Sequence, residues 1–468
     1  MKELHTDVAV IGSGSAGLRA RSAAERQGAS VLLIEGGEYG TTCASVGCMP
    51  SKLLIAAADA AHAAAAAGEF GVHPGQIRID GTRVMQRVRE MRDQFTGKVA
   101  AMTRKLPEEQ RLMGTARFED PHTLIVGEHT RVTAQRIVIA TGSRPSMLPM
   151  FADLGDRVVT NEDVFSWQDL PRSVAVFGPG IIGLELGQAL HRLGVRIRMF
   201  GIQGLLGPLT DPEVKARADA LFRAEFPLDT DARVESVERT DDGVAVRFYD
   251  RTGDGGRQQD AAVEHFDLLL AATGRTPRLD DLDLQHSGLE LDSRGVPRYN
   301  PSTMQCGDSH IFIAGDAAGD LPILHEAADE GVIAGKNAAR HPRIAPENRH
   351  VTLSIVFSDP QIAMVGARYA DLDTEKTAIG SVDWSQDPRA RMMHTDAGLL
   401  RLYADRDTGR LTGAEMLGPR AEHLGHLLAW SIEQELTVQQ LLAMPFYHPV
   451  YEEGLRTALQ SLAKELQG

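Results

Sequence analysis

Residues 7–17, DVAVIGSGSAG, and their continuation to Glu35 decide the fold of this chain. DVAVI is a short apolar run rich in β formers, and GSGSAG places glycines at Gly12, Gly14 and Gly17. A helical stretch with Ala and Arg follows, and a second apolar run, SVLLIE, ends in Glu35, 18 residues past Gly17. Strand, glycine turn, helix, strand and acid make the dinucleotide fingerprint. The glycines admit a pyrophosphate to the amides at the helix start, and the carboxylate takes a ribose hydroxyl. The pattern recurs in SVAVFGPGIIGLELGQALHRLGVRIRMFG, where Gly178, Gly180 and Gly183 each lie 166 residues beyond their counterparts and Gly201 stands in the place of Glu35. The duplication extends further, since IATGSRP, with Thr141 and Gly142, is mirrored by AATGRTP, with Gly274. Two copies imply two dinucleotides, or one copy that has decayed.

Just past the first copy, residues 40–52 read GTTCASVGCMPSK and hold two of the chain's three cysteines, Cys43 and Cys48. They run into SKLLIAAADAAHAAAAA, a segment of strong helix formers. Pro50 suits a first helical turn, which puts Cys48 just before the helix start, where dipole and unpaired amides favour a thiolate. Lys52, four residues on, shares the helical face of Cys48 and favours the thiolate further. A low-pKa thiol beside a second cysteine is what dithiol–disulfide exchange requires. An arbitrary Cys-x4-Cys pair is more often two cysteines that merely pack, so the chemical reading draws its weight from the rest of the chain.

A length of 468 residues suits about three domains. The net charge of −15 argues against nucleic acid and anionic membranes as partners. The opening MKELHTDVAVIG enters a strand with no secretory pattern. The Ala-rich run 53–67, interrupted by Asp59 and His62, reads as too short and too mildly apolar to span a bilayer. Three cysteines make no disulfide framework, so in a soluble, cytoplasmic chain a Cys43–Cys48 pair is catalytic before it is structural. No metal site is expected. Residues 76–110 read as a long charged helix, and 114–145 as strands closing at Pro145. HIFIAGDAAGDLPILHEAADEG is a strand ending in Gly315 and Asp316 ahead of a helix, where the carboxylate reads more readily as a cap than as a ligand. Beyond residue 347 the glycine pattern stops. Strand-like pieces and helices over 421–435 and 452–465 suggest an α+β domain for oligomerisation. Between those helices MPFYHPVYEEG carries His448 before a proline, in extended backbone from which its ring can project, with Glu453 able to orient it. A lone histidine is more often a satisfied surface or core residue.

Together, the cysteine stretch, both glycine fingerprints, both ATG segments, the GD motif and the terminal HP-x3-E resemble the class I pyridine nucleotide-disulfide oxidoreductase family. The likeness covers essentially the whole chain and is greatest to its dihydrolipoamide dehydrogenase branch. It implies an α/β fold with two Rossmann-like dinucleotide-binding domains, for FAD and NAD(P), and a C-terminal α+β dimerisation domain. Residues 1–150 would bind FAD, 151–276 NAD(P), 277–347 would return to the flavin, and 348–468 would form the interface. Gly12, Gly14, Gly17, Glu35, Thr141, Gly142 and Asp316 would hold FAD; Gly178, Gly180, Gly183, Gly201 and Gly274 would hold the nicotinamide nucleotide. Cys43 would exchange with substrate, Cys48 would face the flavin, and Lys52 would pair with Glu185 beside it. His448 of the partner subunit, oriented by Glu453, would be the general acid–base, so the site would exist only in a homodimer. Electrons would pass from a dithiol through Cys43 and Cys48 and FAD to the nicotinamide.

Within the family, the ending SLAKELQG has no cysteine pair of the kind on which mercuric reductases and large thioredoxin reductases rely. Both active cysteines are present, unlike the soluble transhydrogenase branch, and Ile181 stands where glutathione reductases usually carry a tyrosine. These features point to a lipoamide-type substrate, with a 2-oxo acid dehydrogenase complex as a candidate host. The alternatives are an NAD(P)H-dependent reductase of another low-mass disulfide, and a redox-regulatory flavoprotein without turnover. The chain departs from the family's usual GGTCxNxGC at Thr41 and Ser45, and carries HPVYEE for HPTLSE, with Tyr447 and Tyr451 as neighbours of His448. Cys306 is given no role. For the coenzyme, Gly201 removes the ribose carboxylate, Arg196 and Arg198 lie inside the strand, and Gln203 could meet the ribose. A weak NAD(H) preference of about tenfold is expected, and Gly201→Glu is expected to sharpen it.

Overall fold

The computed structural model describes residues 1–251 and 256–467. It divides into two compact units. One comprises Met1–Pro50, Val88–Ser146 and Arg275–Arg349, the other Ser51–Arg87, Met147–Gly274 and His350–Gly468.

In the first unit the described strands run, neighbour to neighbour, Arg111–Met113, Val31–Glu35, Lys2–Ile11, Thr130–Ile139, Thr123–Val126 and Ala116–Asp120, with Ile311–Ile313 also paired to Thr130–Ile139. The glycine-turn strands and their neighbours are parallel, and the last two extend the sheet antiparallel. A parallel sheet is covered on both faces, so its strands are apolar without alternation. Val8 and Val10 enter a core with Leu33, Val138 and Phe312. Ala9 and Ile11 enter the opposite one with Ile34, Ile137 and Ile313. The helices Ser15–Arg26 and Leu324–Arg340 line the first core through Ala16, Ala20, Ala327 and Ala334. Cys306 lies in the other core, where burial pushes its thiol up to about 12, consistent with packing alone.

The second unit repeats the parallel arrangement with Leu228–Asp229, Arg196–Phe200, Ser173–Phe177, Leu268–Ala271 and Val158–Val159, again followed by an antiparallel meander, Arg233–Arg239, Val244–Tyr249 and Ala262–Phe266. A further antiparallel sheet runs Leu353–Val356, Gln361–Gly366, Leu411–Gly418, Leu399–Asp405 and Thr377–Asp383. The helices Ala421–Glu433 and Glu452–Glu465 pack on it. Several boundaries differ from the sequence expectation. The long charged helix shortens to Gly81–Arg104. The strand Thr377–Asp383 and the helix Val438–Leu442 were not anticipated, although a capping box between Thr437 and Gln440 marks the latter. The Ala-rich segment also exceeds its expected length: the helical run Thr42–Phe70 is long and apolar enough, by length and composition alone, to cross a membrane. The expectation counted only residues 53–67, and the run starts well before them.

One contact of the last sheet reaches the candidate chemistry directly. Trp384 is fully buried, and Gly418 and Gly454 lie against its indole from two elements; a Cβ on Gly454 would collide with Cζ3 and lie 3.0 Å from Cη2. Gly454 thereby seats the first turn of Glu452–Glu465, and with it Glu453. Overpacking of this kind costs about 1–3 kcal/mol. Gly454→Ala should lower the urea midpoint accordingly, which chemical denaturation followed by tryptophan fluorescence measures; an unchanged midpoint would show that the helix can shift freely.

Candidate active site

The first glycine turn has the shape of a pyrophosphate cradle. Gly12 takes φ +106°, and a Cβ there would run into the Ala140 backbone; one on Gly17 would meet the Gly12 carbonyl. Gly14 differs, because a Cβ on it would meet nothing within 4 Å. It is the N-cap of Ser15–Arg26, and no side chain caps that helix among the described residues. The helix amides therefore face open space, where an anion is favoured. Glu35 sits at the edge of this space, its Oε2 accepting from Ser13 N at 2.8 Å and Ser13 Oγ at 2.6 Å, and its Oε1 from Gly37 N at 2.8 Å. Thr141 Oγ1 is buried with no hydrogen-bond partner among the described residues, and Gly142 takes φ +72°. An open amide cradle, a fixed carboxylate and an orphaned hydroxyl fit a dinucleotide such as FAD.

Asp316 corrects one expectation. It does not cap the following helix, whose N-cap is Ile323 with no side-chain bond. Its Oδ2 accepts from Ser143 Oγ at 2.6 Å, and Arg275 Nε donates to the same hydroxyl at 2.7 Å. The cap reading counted only the local sequence, whereas the partners come from the two ATG segments. Glu330, which the sequence reading passed over, holds the turn ahead of Asp316: Gly315 N donates to its Oε2 at 2.7 Å, and Arg349 Nη2 pairs with Oε1 at 2.8 Å. Its signal was a carboxylate among the small residues Ala327, Gly331 and Ala334 on a buried helix face.

The redox stretch begins with a single helical turn, Thr42–Ser45, whose N-cap Thr41 accepts from Ala44 N at 3.3 Å while Ser45 Oγ donates to the Thr41 carbonyl at 2.9 Å. The two departures from the family pattern thus support the turn that carries Cys43. A Cβ on Gly47 would lie 3.0 Å from the Thr42 carbonyl oxygen and 3.2 Å from Cys43 Cα, so the chain passes close to Cys43 just before Cys48. Cys43 is half-buried and Cys48 exposed. Cys48 is the first residue of Cys48–Ala66 rather than its predecessor, with Pro50 still in the opening turn and no acidic residue there to offset the dipole. One turn on, Lys52 Nζ is committed to Glu185, at 2.7 Å from Oε2 and 2.9 Å from Oε1. This ion pair fixes the ammonium one turn into the helix that Cys48 begins.

The second glycine turn repeats the first. Gly178 takes φ +103° against the Ala272 backbone, Gly183 lies against the Gly178 carbonyl, and Gly180 opens onto empty space. Gly274 takes φ +103° in the mirrored ATG segment. Gly201 is another matter: a Cβ there would lie 2.6 Å from Pro179 Cγ, 2.8 Å from Cδ and 2.9 Å from the Thr230 carbonyl. Gly201→Glu therefore cannot place a carboxylate on a ribose without displacing both loops, so, against the sequence expectation, the substitution does not offer a way to sharpen NAD(H) preference. Arg196 and Arg198 are held elsewhere, over the rings of Phe266 and Phe248 and paired with Glu264.

His448 Nδ1 lies 2.9 Å from Glu453 Oε2, which leaves Nε2 as the outward nitrogen on a side chain that is 71% exposed. The His448 hydrogen bond holds the Glu453 carboxyl below its ordinary value. The two flanking tyrosines differ, since Tyr451 Oη bonds Thr395 Oγ1 at 3.0 Å whereas Tyr447 is 79% exposed.

Two family patterns match the chain: one described as pyridine nucleotide-disulphide oxidoreductase over residues 6–331, and its dimerisation domain over residues 352–459. A dihydrolipoyl dehydrogenase of Haloferax volcanii is 31% identical, covering 97% of this chain and 96% of its own length. A mercuric reductase of Shigella flexneri is also 31% identical, over 98% of this chain and 81% of its own. In fold, the HOCl-induced flavoprotein disulfide reductase RclA of Escherichia coli superposes with a TM-score of 0.80 at 22% identity, covering 97% of this chain and 99% of its own.

The Glu330 carboxyl yields a pH test. Burial is the main influence and pushes it up to about 7, against the pull of Arg349. A carboxyl raised on folding contributes stability that is complete below its ordinary value of 4.5 and is lost as pH rises through about 7. The span corresponds to on the order of 3 kcal/mol. Glu330→Gln, which can still accept from Gly315 N, should flatten the fall in stability between pH 5 and 8, as urea titrations across that range would reveal; parallel pH profiles would refute it.

Proposed function

The chain belongs to the pyridine nucleotide-disulphide oxidoreductase family, and from that membership we propose that a dihydrolipoamide-type dithiol is its substrate, with NAD(H) its preferred coenzyme. It is an FAD- and pyridine-nucleotide-dependent disulfide oxidoreductase of the dihydrolipoyl dehydrogenase type, and it carries the family's dimerisation domain as a homodimer. Residues 1–150 and 277–347 serve the flavin in this proposal, 151–276 the nicotinamide nucleotide and 348–468 the interface. The setting is a reducing cytoplasm, and a 2-oxo acid dehydrogenase complex is the proposed host.

The observation that supports the chemistry is the close passage of Gly47 against Cys43, one residue before Cys48 opens a helix with no acid in its first turn. With the pair oxidised, His448 of the partner subunit, its ring fixed by Glu453 at Nδ1, takes a proton at Nε2 from one substrate thiol. The thiolate attacks the Cys43 sulfur, the Cys43–Cys48 bond breaks, and Cys48 leaves as a thiolate favoured by the helix start. The second substrate thiolate then attacks the first substrate sulfur, closing the substrate disulfide and releasing Cys43 reduced. Bound FAD supplies the route by which the electron pair leaves the dithiol for a nicotinamide. Gly14 and Glu35 would hold its pyrophosphate and ribose, and Asp316, fixed by Ser143 and Arg275, its ribityl chain. One observation favours a second substrate, another low-mass disulfide: the exposed Tyr447 beside His448 would narrow the approach to a thiol site.

Steady-state assays with dihydrolipoamide, glutathione disulfide and other small disulfides, each with both coenzymes, test the proposal. Lipoamide turnover should lead by at least about tenfold in kcat/KM, and Cys43→Ser and Cys48→Ser should each abolish it while retaining FAD absorbance. Mixing Cys43→Ser with His448→Ala chains under subunit exchange should restore activity in part. Full lipoamide activity in either cysteine variant would sink the assignment, and no complementation despite exchange would confine His448 to its own subunit.

A further inference from the structure

The family's dinucleotide fingerprint ends in a carboxylate for the adenosine ribose, and the second copy has Gly201 there, in a place closed by Pro179 and Thr230. A different carboxylate stands at the same rim. The loop after Arg196–Phe200 is zipped to the loop after Leu228–Asp229 by Gly201 N to Asp229 O at 2.6 Å, Ala232 N to Gly201 O at 2.7 Å and Gly204 N to Thr230 O at 3.0 Å. Gly207 N bonds the Pro179 carbonyl at 2.7 Å, tying the first loop back to the second glycine turn. Both loops thus lie at the carboxyl ends of adjacent parallel strands beside a glycine turn, where α/β folds bind their nucleotides. In this rim Asp231 Oδ1 accepts from Gln203 N at 3.0 Å, and its side chain is 61% exposed.

We propose that Asp231, from the neighbouring strand's loop, replaces the missing fingerprint acid by accepting the adenosine ribose hydroxyls, and is the residue that sets a preference for NAD(H). The inference rests on the proposed use of a nicotinamide nucleotide at the second glycine turn and names the residue that selects it. A carboxylate offers about four acceptor positions and the Gln203 amide takes one, so capacity remains for a hydroxyl. Among the described residues three guanidiniums lie close by, and each is engaged by the buried Asp229 carboxylate, Arg223 Nη2 at 4.0 Å from Oδ1. Arg257 Nη1 lies 2.6 Å from Asp229 Oδ2, and Arg251 Nε lies 3.0 Å from Asp229 Oδ1. Arg257 also donates to the carbonyls of Tyr249 and Asp231, and stands 4.0 Å from Asp231 Oδ2. The most exposed of these charged groups is the Asp231 carboxylate, which takes a 2'-hydroxyl and repels a 2'-phosphate.

The test uses the FAD-loaded dimer and calorimetric titration with NAD⁺ and with NADP⁺ at fixed ionic strength, alongside kcat/KM for NADH and NADPH. Asp231→Asn keeps an acceptor for Gln203 N and removes the charge; Asp231→Ser is the second variant should the first fail to fold, and Gln203→Ala probes the neighbouring side chain. Both Asp231 variants should weaken NAD⁺, tighten NADP⁺ and shift the ratio of the two Kd values by about tenfold or more, with Gln203→Ala shifting it less than twofold. A ratio unchanged in a folded Asp231 variant, or a larger shift from Gln203→Ala, overturns the assignment while leaving the enzyme's use of nicotinamide intact. Wild-type dimer that binds neither nucleotide overturns the underlying reading together with it.

Discussion

Glu185 is the charge on which the organisation of the second unit depends. Its side chain is 5% exposed, one turn into the helix that follows the second glycine turn, and its oxygens accept from Lys52 Nζ, from Ser51 Oγ at 3.3 Å and from Phe357 N at 3.1 Å. Removing a carboxylate from water costs several kcal/mol unless it is paired and hydrogen-bonded, and here an ammonium, a hydroxyl and an amide share that task. Lys52 also lies 4.4 Å from the centre of the Phe357 ring. The three donors come from the helix that begins at Cys48 and from the segment that follows Leu353–Val356. One buried charge therefore ties together the helix Cys48–Ala66, the helix Ile181–Arg192 and the segment that follows Leu353–Val356.

A second buried pair extends the same logic. Asp211, wholly buried, caps the helix Pro212–Glu225 and accepts from Tyr403 Oη at 2.9 Å and Arg401 Nη1 at 3.0 Å. Glu415, equally buried, accepts from the amides of Thr210, Asp211 and Tyr369 at 2.7, 2.8 and 3.0 Å. These carboxylates join the loop that follows Arg196–Phe200 and the helix Pro212–Glu225 to the last sheet, on which the helix carrying Glu453 packs. Satisfied polar groups of this kind cost little when complete and much when broken, which gives the last sheet a rigid support.

What the sequence made legible follows from how local each constraint is. The glycine turns were readable because the close approach they permit is written within a few residues, and the Cys43–Cys48 stretch because its helix start is local as well. Lys52 with Glu185 came from likeness to the family, His448 with Glu453 from their five-residue spacing, and both proved to be neighbours. The misreadings involve partners distant in sequence. Asp316 looked like a cap until Ser143 and Arg275 arrived from two other segments. Gly201 looked like a vacant position until Pro179 and Thr230 filled it. Glu330 offered only a carboxylate among small residues on a helix, since its partners, the Gly315 amide and Arg349, lie 15 and 19 residues away. The strand Thr377–Asp383, TAIGSVD, mixes small, polar and apolar residues without a clean alternation and is paired alongside Leu399–Asp405.

The zipped loops beside the second glycine turn also bear on how such an enzyme changes over evolutionary time. Because the backbone of Gly201–Gly204 is hydrogen-bonded to Asp229–Ala232, neither loop can gain or lose a residue without unpairing the other. Insertions, the commonest variation in surface loops, are closed to both segments singly. Drift at this rim is thus confined to exchanges of side chain at fixed length, or to the replacement of both loops as one inherited block.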